Sequence, residues 1–139
     1  MIGIIDYGSG NIQAIATIYK NLNIEYKVLK EPRDLEKATK LILPGVGAFD
    51  ATMQQLIDSG LKNKLNELVL EKKVPILGIC VGLQIMGYGS DEGDLPGLGW
   101  IPGYVNKFDE NLIKVKPKYP HMGWNVIDNL HKHPLFKNI

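Results

Sequence analysis

The chain predicts an α/β fold, a mostly parallel sheet flanked by helices. Three observations carry that prediction. Short apolar runs alternate with segments of helical periodicity, several of those runs stop at glycine-containing turns, and residues 74–79 are continuously apolar. An unbroken apolar strand is the pattern expected where helices cover both faces of a sheet, and β-α alternation implies parallel strands joined by right-handed crossovers.

Taken in order, Ile2–Ile5 is a short apolar strand ended by Asp6-Tyr7-Gly8-Ser9-Gly10-Asn11. Ile12, Ile15, Ala16 and Tyr19 then recur at helical spacing. Residues 25–29 form a second strand, Pro32–Lys37 a helical turn, and Lys40–Leu43 a third strand stopped by Pro44-Gly45. A helix capped by Asp50 follows, its stripe of Met53, Leu56, Ile57, Leu61, Leu65, Leu68 and Val69 broken near Gly60. After the strand at 74–79, Leu83, Ile85 and Met86 begin another helix. Beyond Gly89 the texture changes: residues 91–103 are rich in Gly and Pro, and residues 104–126 read as short strands and turns, as in an antiparallel edge or a surface excursion.

Composition narrows the function classes. At 139 residues and 45% hydrophobic, the chain fits one domain, or most of one, with a single core. A formal charge of +1 gives no field that would draw it to nucleic acid or an anionic membrane, so its expected partners are protein and small molecule. One cysteine forms no intrachain disulfide, Met1 runs directly into the first strand without a signal-like segment, and no stretch is long enough to span a bilayer. The expected location is the cytoplasm.

That one cysteine has an unusual setting. Gly78-Ile79-Cys80-Val81-Gly82 joins a strand to a helix, as the Gly-x-Ser-x-Gly elbow of hydrolases does, with cysteine where serine would stand. The sharp turn strains the central residue, and only small neighbours tolerate the crowding. Free N–H groups at the helix start favour negative charge on an attacking sulfur, and the N–H of Val81 points where a tetrahedral oxyanion forms. The plainer alternative is a small buried filler at a strand end. Pro44-Gly45-Val46-Gly47-Ala48-Phe49 lies at the carboxyl end of another strand, so both loops open on one side of a parallel sheet. Glycines around Val46 let its peptide plane turn an N–H towards an oxyanion, although the loop also reads as an ordinary β-turn. The turn at Asp6–Asn11 has glycines suited to phosphate but lacks the third glycine and the lysine of the usual fingerprints.

Four segments in order resemble one family. Asp6-Tyr7-Gly8-x-Gly10-Asn11, Pro44-Gly45-Val46-Gly47 and Gly78-Ile79-Cys80-x-Gly82-x-Gln84 resemble the class I (triad) glutamine amidotransferases. Pro120-His121-Met122-Gly123-Trp124-Asn125 is similar to the signature of the glutaminase subunits of imidazole glycerol phosphate synthases. The resemblance implies a class I amidotransferase domain over residues 1–139, with flavodoxin-like layering and its C-terminal strands missing. It implies hydrolysis of glutamine to glutamate and ammonia. The ammonia would pass to a (β/α)8-barrel synthase subunit that makes imidazole glycerol phosphate and AICAR in histidine biosynthesis. Carried onto matching positions, Cys80 is the nucleophile and the N–H groups of Val46 and Val81 form the oxyanion hole, while Gly47, Gln84 and Glu92 hold the substrate. Asn11, His121, Met122, Trp124 and Asn125 face the partner. No cofactor or metal is implied.

By the same resemblance the base and its orienting carboxylate come from a His-Pro-Glu motif, which these 139 residues do not contain: His133-Pro134 is followed by Leu135. The expectation is a truncated domain that holds its nucleophile without turning over glutamine, with an exposed apolar sheet edge prone to aggregate. Three alternatives stay open at this point: a related glutaminase feeding a sugar amidotransferase, an inactive binding module of the same fold, and a flavodoxin-like cofactor binder. The last leaves the cysteine elbow unexplained.

Overall fold

The computed structural model describes residues 1–114, 116, 123–126 and 133–136. They divide into two compact units, Met1–Lys107 and Phe108–Ile139. The first contains β1 (Ile2–Ile5), α1 (Ile12–Asn21), β2 (Tyr26–Leu29), a 3-10 turn (Pro32–Lys37), β3 (Lys40–Leu43) and α2 (Phe49–Asp58). It continues with α3 (Lys62–Asn66), which runs into a π-helical turn (Glu67–Glu71), then β4 (Ile76–Gly78) and α4 (Val81–Gln84). All four strands pair in parallel, in the order β2-β1-β3-β4. From β1 the chain moves to one side for β2 and then to the other for β3. The loops leaving β1 and β3 therefore flank a topological switch point, where open α/β sheets form a crevice at the carboxyl ends of their strands.

Period-two alternation sorts the strand residues onto two faces. Ile4 lies beside Ile42, and Ile42 beside Leu77. Ile4 and Ile42 pack against Ala16 of α1, with Ile12, Ile15 and Tyr19 around them. On the opposite face Ile5, Leu41 and Leu43 meet Phe49, Met53 and Leu56 of α2, Leu61, Leu65 and Leu68 of the following helices, and Val81, Ile85 and Met86. Each such fully buried side chain contributes roughly 1.5–3 kcal/mol relative to exposure, so this larger face anchors the elements that carry the cysteine.

One expectation needs correction. β4 is shorter than residues 74–79 and is not covered on both faces: Leu77 is 45% and Ile79 39% exposed. Both lie on the α1 side of the sheet, where α1 covers β1 and β3 but nothing among the described residues covers β4. Nor does an antiparallel edge form among the described residues after Gly89. Ser90 and Val105 make one isolated bridge, and it is parallel. The loop before it packs beneath α4 instead, the N–H groups of Leu98 and Trp100 donating to the carbonyls of Ile85 and Met86, both at 2.8 Å. Trp100 Nε1 donates to Asn66 Oδ1 at 2.7 Å.

In the second unit Asp109 Oδ1 accepts the N–H of Asn111 at 2.9 Å, and Pro134–Phe136 forms a 3-10 turn. Among the described residues no helix is long and apolar enough to cross a membrane.

Candidate active site

Cys80 sits between β4 and α4 with φ 56° and ψ −126°. A non-glycine residue in so sparsely populated a region is strained by about 1–3 kcal/mol and persists only where its surroundings fix it. They do so here. Ile79 N–H extends the ladder to Leu43 O at 3.0 Å, Leu83 N–H returns to Cys80 O at 2.9 Å, and Gly82 N–H closes on Ile79 O at 3.0 Å. Backbone presses on both flanking glycines: a Cβ at Gly82 would collide with Leu43 O, and one at Gly78 would meet Leu83 Cα at 2.5 Å. The outcome is an exposed thiol at the end of an otherwise closed turn. Val81 is buried, and its N–H has no acceptor among the described residues.

The second loop leans on this elbow. A Cβ at Gly45 would stand 2.6 Å from Gly82 N and 2.7 Å from Val81 Cγ1, so only a glycine lets the β3 loop lie against the start of α4. Two hydroxyls from the β1 loop hold it from the other side. Tyr7 Oη donates to Pro44 O at 2.6 Å, and burial pushes the Tyr7 phenol up to about 12, a rise that the nearby Ser9 hydroxyl moderates. Ser9 Oγ donates to Val46 O at 3.0 Å and accepts the Val46 N–H at 2.9 Å. The Val46 N–H, expected as an oxyanion donor, is thus engaged by a serine in this conformation. Gly47 follows with φ 109°, a backbone state that a peptide rotation can use.

Gln84 is half-buried on the last turn of α4, its N–H donating to Cys80 O at 3.3 Å. Glu92 arrives from the loop after α4: its Oε2 accepts the N–H of Phe49, the first residue of α2, at 3.1 Å. Since Phe49 follows Gly47 by two residues, Glu92 is delivered beside the Val46 loop. Asp50 does not cap its helix. The N-cap is Ala48, and the Asp50 carboxylate instead accepts the N–H groups of Asp94 and Leu95. A carboxylate at a helix start reads as a cap when only local partners are considered, and here its partners are 44 and 45 residues away.

Of the expected partner-facing residues, Asn11 caps α1, its Oδ1 accepting the N–H of Ala14 at 3.0 Å. Trp124 is fully exposed in the second unit, and Asn125 Nδ2 donates to Gly123 O at 3.5 Å. His121 and Met122 lie outside the described residues. Among the described residues no cluster of three His, Cys, Asp or Glu could hold a metal ion. A cavity of about 250 Å³ lined by Ile57, Gly60, Lys62 and Asn63 belongs to the far end of α2, roughly 15 Å along the helix from the residue that Glu92 caps.

Ser9 and Tyr7 went unread in the sequence because their partners lie across a strand crossover. The usable signal was the topology itself, which sets the loop after β1 beside the loop after β3.

Comparison with known proteins agrees with this geometry. The family model for glutamine amidotransferase class-I matches residues 3–139. The imidazole glycerol phosphate synthase subunit HisH of Bdellovibrio bacteriovorus is 51% identical over 140 residues, and that of Leptospira borgpetersenii 44% identical over 139. In both cases the match covers 100% of this chain and 68% of the relative. A crystal structure of a glutamine amidotransferase superposes with a TM-score of 0.64 at 21% identity, covering 83% of this chain and 59% of the other, and shows the common fold. The chain belongs to the class I glutamine amidotransferase family and, within it, to the imidazole glycerol phosphate synthase subunits HisH.

Proposed function

We propose that this chain supplies the glutaminase half of imidazole glycerol phosphate synthase in histidine biosynthesis, with Cys80 as its nucleophile. The observation that carries the reading is the strained, exposed Cys80 on a strand-to-helix turn. Strain of this kind has no packing purpose in a residue whose side chain faces solvent.

In the proposed reaction the Cys80 sulfur attacks the carboxamide carbon of glutamine, and the carbonyl oxygen becomes an oxyanion. Val81 N–H stands ready as one donor. Val46 N–H becomes a second once the Gly45–Val46 peptide plane leaves Ser9, a rotation about the backbone bonds of Gly45 and Val46 that the glycine eases. Protonation of the amide nitrogen expels ammonia and leaves a γ-glutamyl thioester, which water then cleaves to glutamate and free thiol. Gln84 and Glu92 hold the amino-acid end of the substrate, Glu92 by opposing its charge to the ammonium group. The Met1–Lys107 unit contains no histidine, the side chain that most often carries the proton in such a step. The ammonia passes to a (β/α)8-barrel synthase subunit in a cytoplasmic heterodimer, with Asn11 and the segment around Trp124 facing that partner.

A glutamine-analogue chloroketone tests the reading. Saturable labelling confined to Cys80, protected by glutamine and abolished in Cys80→Ala, is the expected result. Labelling that glutamine does not protect would remove the substrate assignment.

A further inference from the structure

The N-terminus of α2 and the loop carrying Glu92 exchange carboxylates. Glu92 reaches across to accept the Phe49 N–H at 3.1 Å, a donor that a local cap would ordinarily satisfy. Asp50, one residue further on, does not cap its own helix and gives both oxygens to the loop. Its Oδ2 accepts from Asp94 N–H at 2.9 Å and its Oδ1 from Leu95 N–H at 3.0 Å. The loop closes onto that carboxylate so tightly that a Cβ at Gly93 would collide with Asp50 Oδ1 and Cγ. On the other side of Glu92, the buried Ser90 Oγ accepts the Glu92 N–H at 3.0 Å. Glu92 is therefore gripped on both flanks, through its own N–H and through the two residues after Gly93.

Helix stability alone does not call for this exchange, since an aspartate turned onto its own first turn would stabilise α2 without reaching another loop. What the exchange adds is a fixed direction for one carboxylate. With Oε2 held on Phe49 N–H, the other oxygen of Glu92 has a defined position from which to receive a cation.

We infer that Asp50 is a positioning residue for substrate recognition: by holding the N–H groups of Asp94 and Leu95 it sets the Glu92 carboxylate where it meets the ammonium group of glutamine. This rests on the role given to Glu92 above, and the test separates the two. Saturable labelling of Cys80 by the glutamine chloroketone gives a half-saturation concentration and a maximal rate, while iodoacetamide, which has no amino-acid group, reads the thiol alone. Asp50→Ala raises the half-saturation concentration roughly ten-fold, as loss of two hydrogen bonds to one carboxylate allows, and leaves the maximal rate and the iodoacetamide rate unchanged. Asp50→Asn, which keeps one acceptor, falls between. Amide exchange at Asp94 and Leu95 quickens in the alanine variant. In Glu92→Gln the half-saturation concentration rises at least as far, and adding Asp50→Ala to that background changes nothing more. Multiplying effects in the double variant, or equal effects on both reagents, would overturn the positioning role while leaving Glu92 in place. No effect of Glu92→Gln would remove the recognition role of Glu92, and the Asp50 inference with it.

Discussion

Replacing Ser9 by alanine removes one hydroxyl and two hydrogen bonds, both to Val46, at 2.9 and 3.0 Å. Net contributions of about 0.5–1.5 kcal/mol for each bond give a holding energy of roughly 1–3 kcal/mol on the two peptide planes that meet at Val46. Val46 is 65% exposed, so water can receive its freed N–H and C=O, which points to the lower half of that range. A shift of about 1–2 kcal/mol changes a two-state population by a factor of roughly 5–30. The peptide orientation that turns the Val46 N–H towards Cys80 should gain by that factor. The assay is the affinity of a glutamine aldehyde, which adds reversibly to Cys80 and presents a tetrahedral oxygen to the oxyanion donors. Ser9→Ala should bind it about 5–30-fold more tightly, while binding of glutamate, which forms no such adduct, stays constant. Unchanged or weaker aldehyde binding in a variant with an intact thermal transition would refute the idea that Ser9 withholds an oxyanion donor.

Three further outcomes follow from particular groups. Tyr7 ionises at about 12 in the folded chain, because burial opposes the phenolate, and near 10 when unfolded. Its contribution is complete below pH 10 and lost as pH rises from 10 through 12, a total on the order of 2–3 kcal/mol. Urea midpoints measured across that window should fall more steeply for the wild-type chain than for Tyr7→Phe, and parallel curves would contradict the assignment. Thr52 buries its Oγ1 without a hydrogen-bond partner among the described residues, so Thr52→Val should raise unfolding stability by about 1 kcal/mol, read as a higher urea midpoint. Cys80→Gly removes the strain at φ 56° and should stabilise the fold by about 1 kcal/mol or more while abolishing labelling; a destabilised glycine variant would show that the turn is not strained.

Much of the fold was legible because its signals are local. Ile2–Ile5 and Lys40–Leu43 were bounded to the residue as apolar runs that stop at turn residues, and Pro32–Lys37 by the proline that opens it. The elbow was legible too, since Gly78 and Gly82 around Cys80 encode the crowding directly. The failures are non-local. An apolar run such as residues 74–79 has the same composition whether a neighbouring element covers it or not, so the exposure of Leu77 and Ile79 could not be read from it. Asp50 satisfies every local criterion for a cap, and its preference for Asp94 and Leu95 depends on a loop more than forty residues on. Ser9 looked like part of a weak nucleotide turn because nothing in Asp6–Asn11 names the β3 loop as its partner.

The strand order β2-β1-β3-β4 also bears on how the chain assembles. Of these four strands β1 is synthesised first and offers both of its edges for pairing. β2 joins one flank, β3 the other, and β4 extends the flank that β3 opened. Every newcomer docks at a free margin, and no established pairing has to be broken to admit a later strand. Growth during synthesis can therefore proceed outward by accretion, with domains generally folding as units from the N-terminal side. The loops after β1 and β3 are brought together by the third strand, so the hydroxyl contacts between Ser9 and Val46 can form while β4 and its cysteine are still being synthesised.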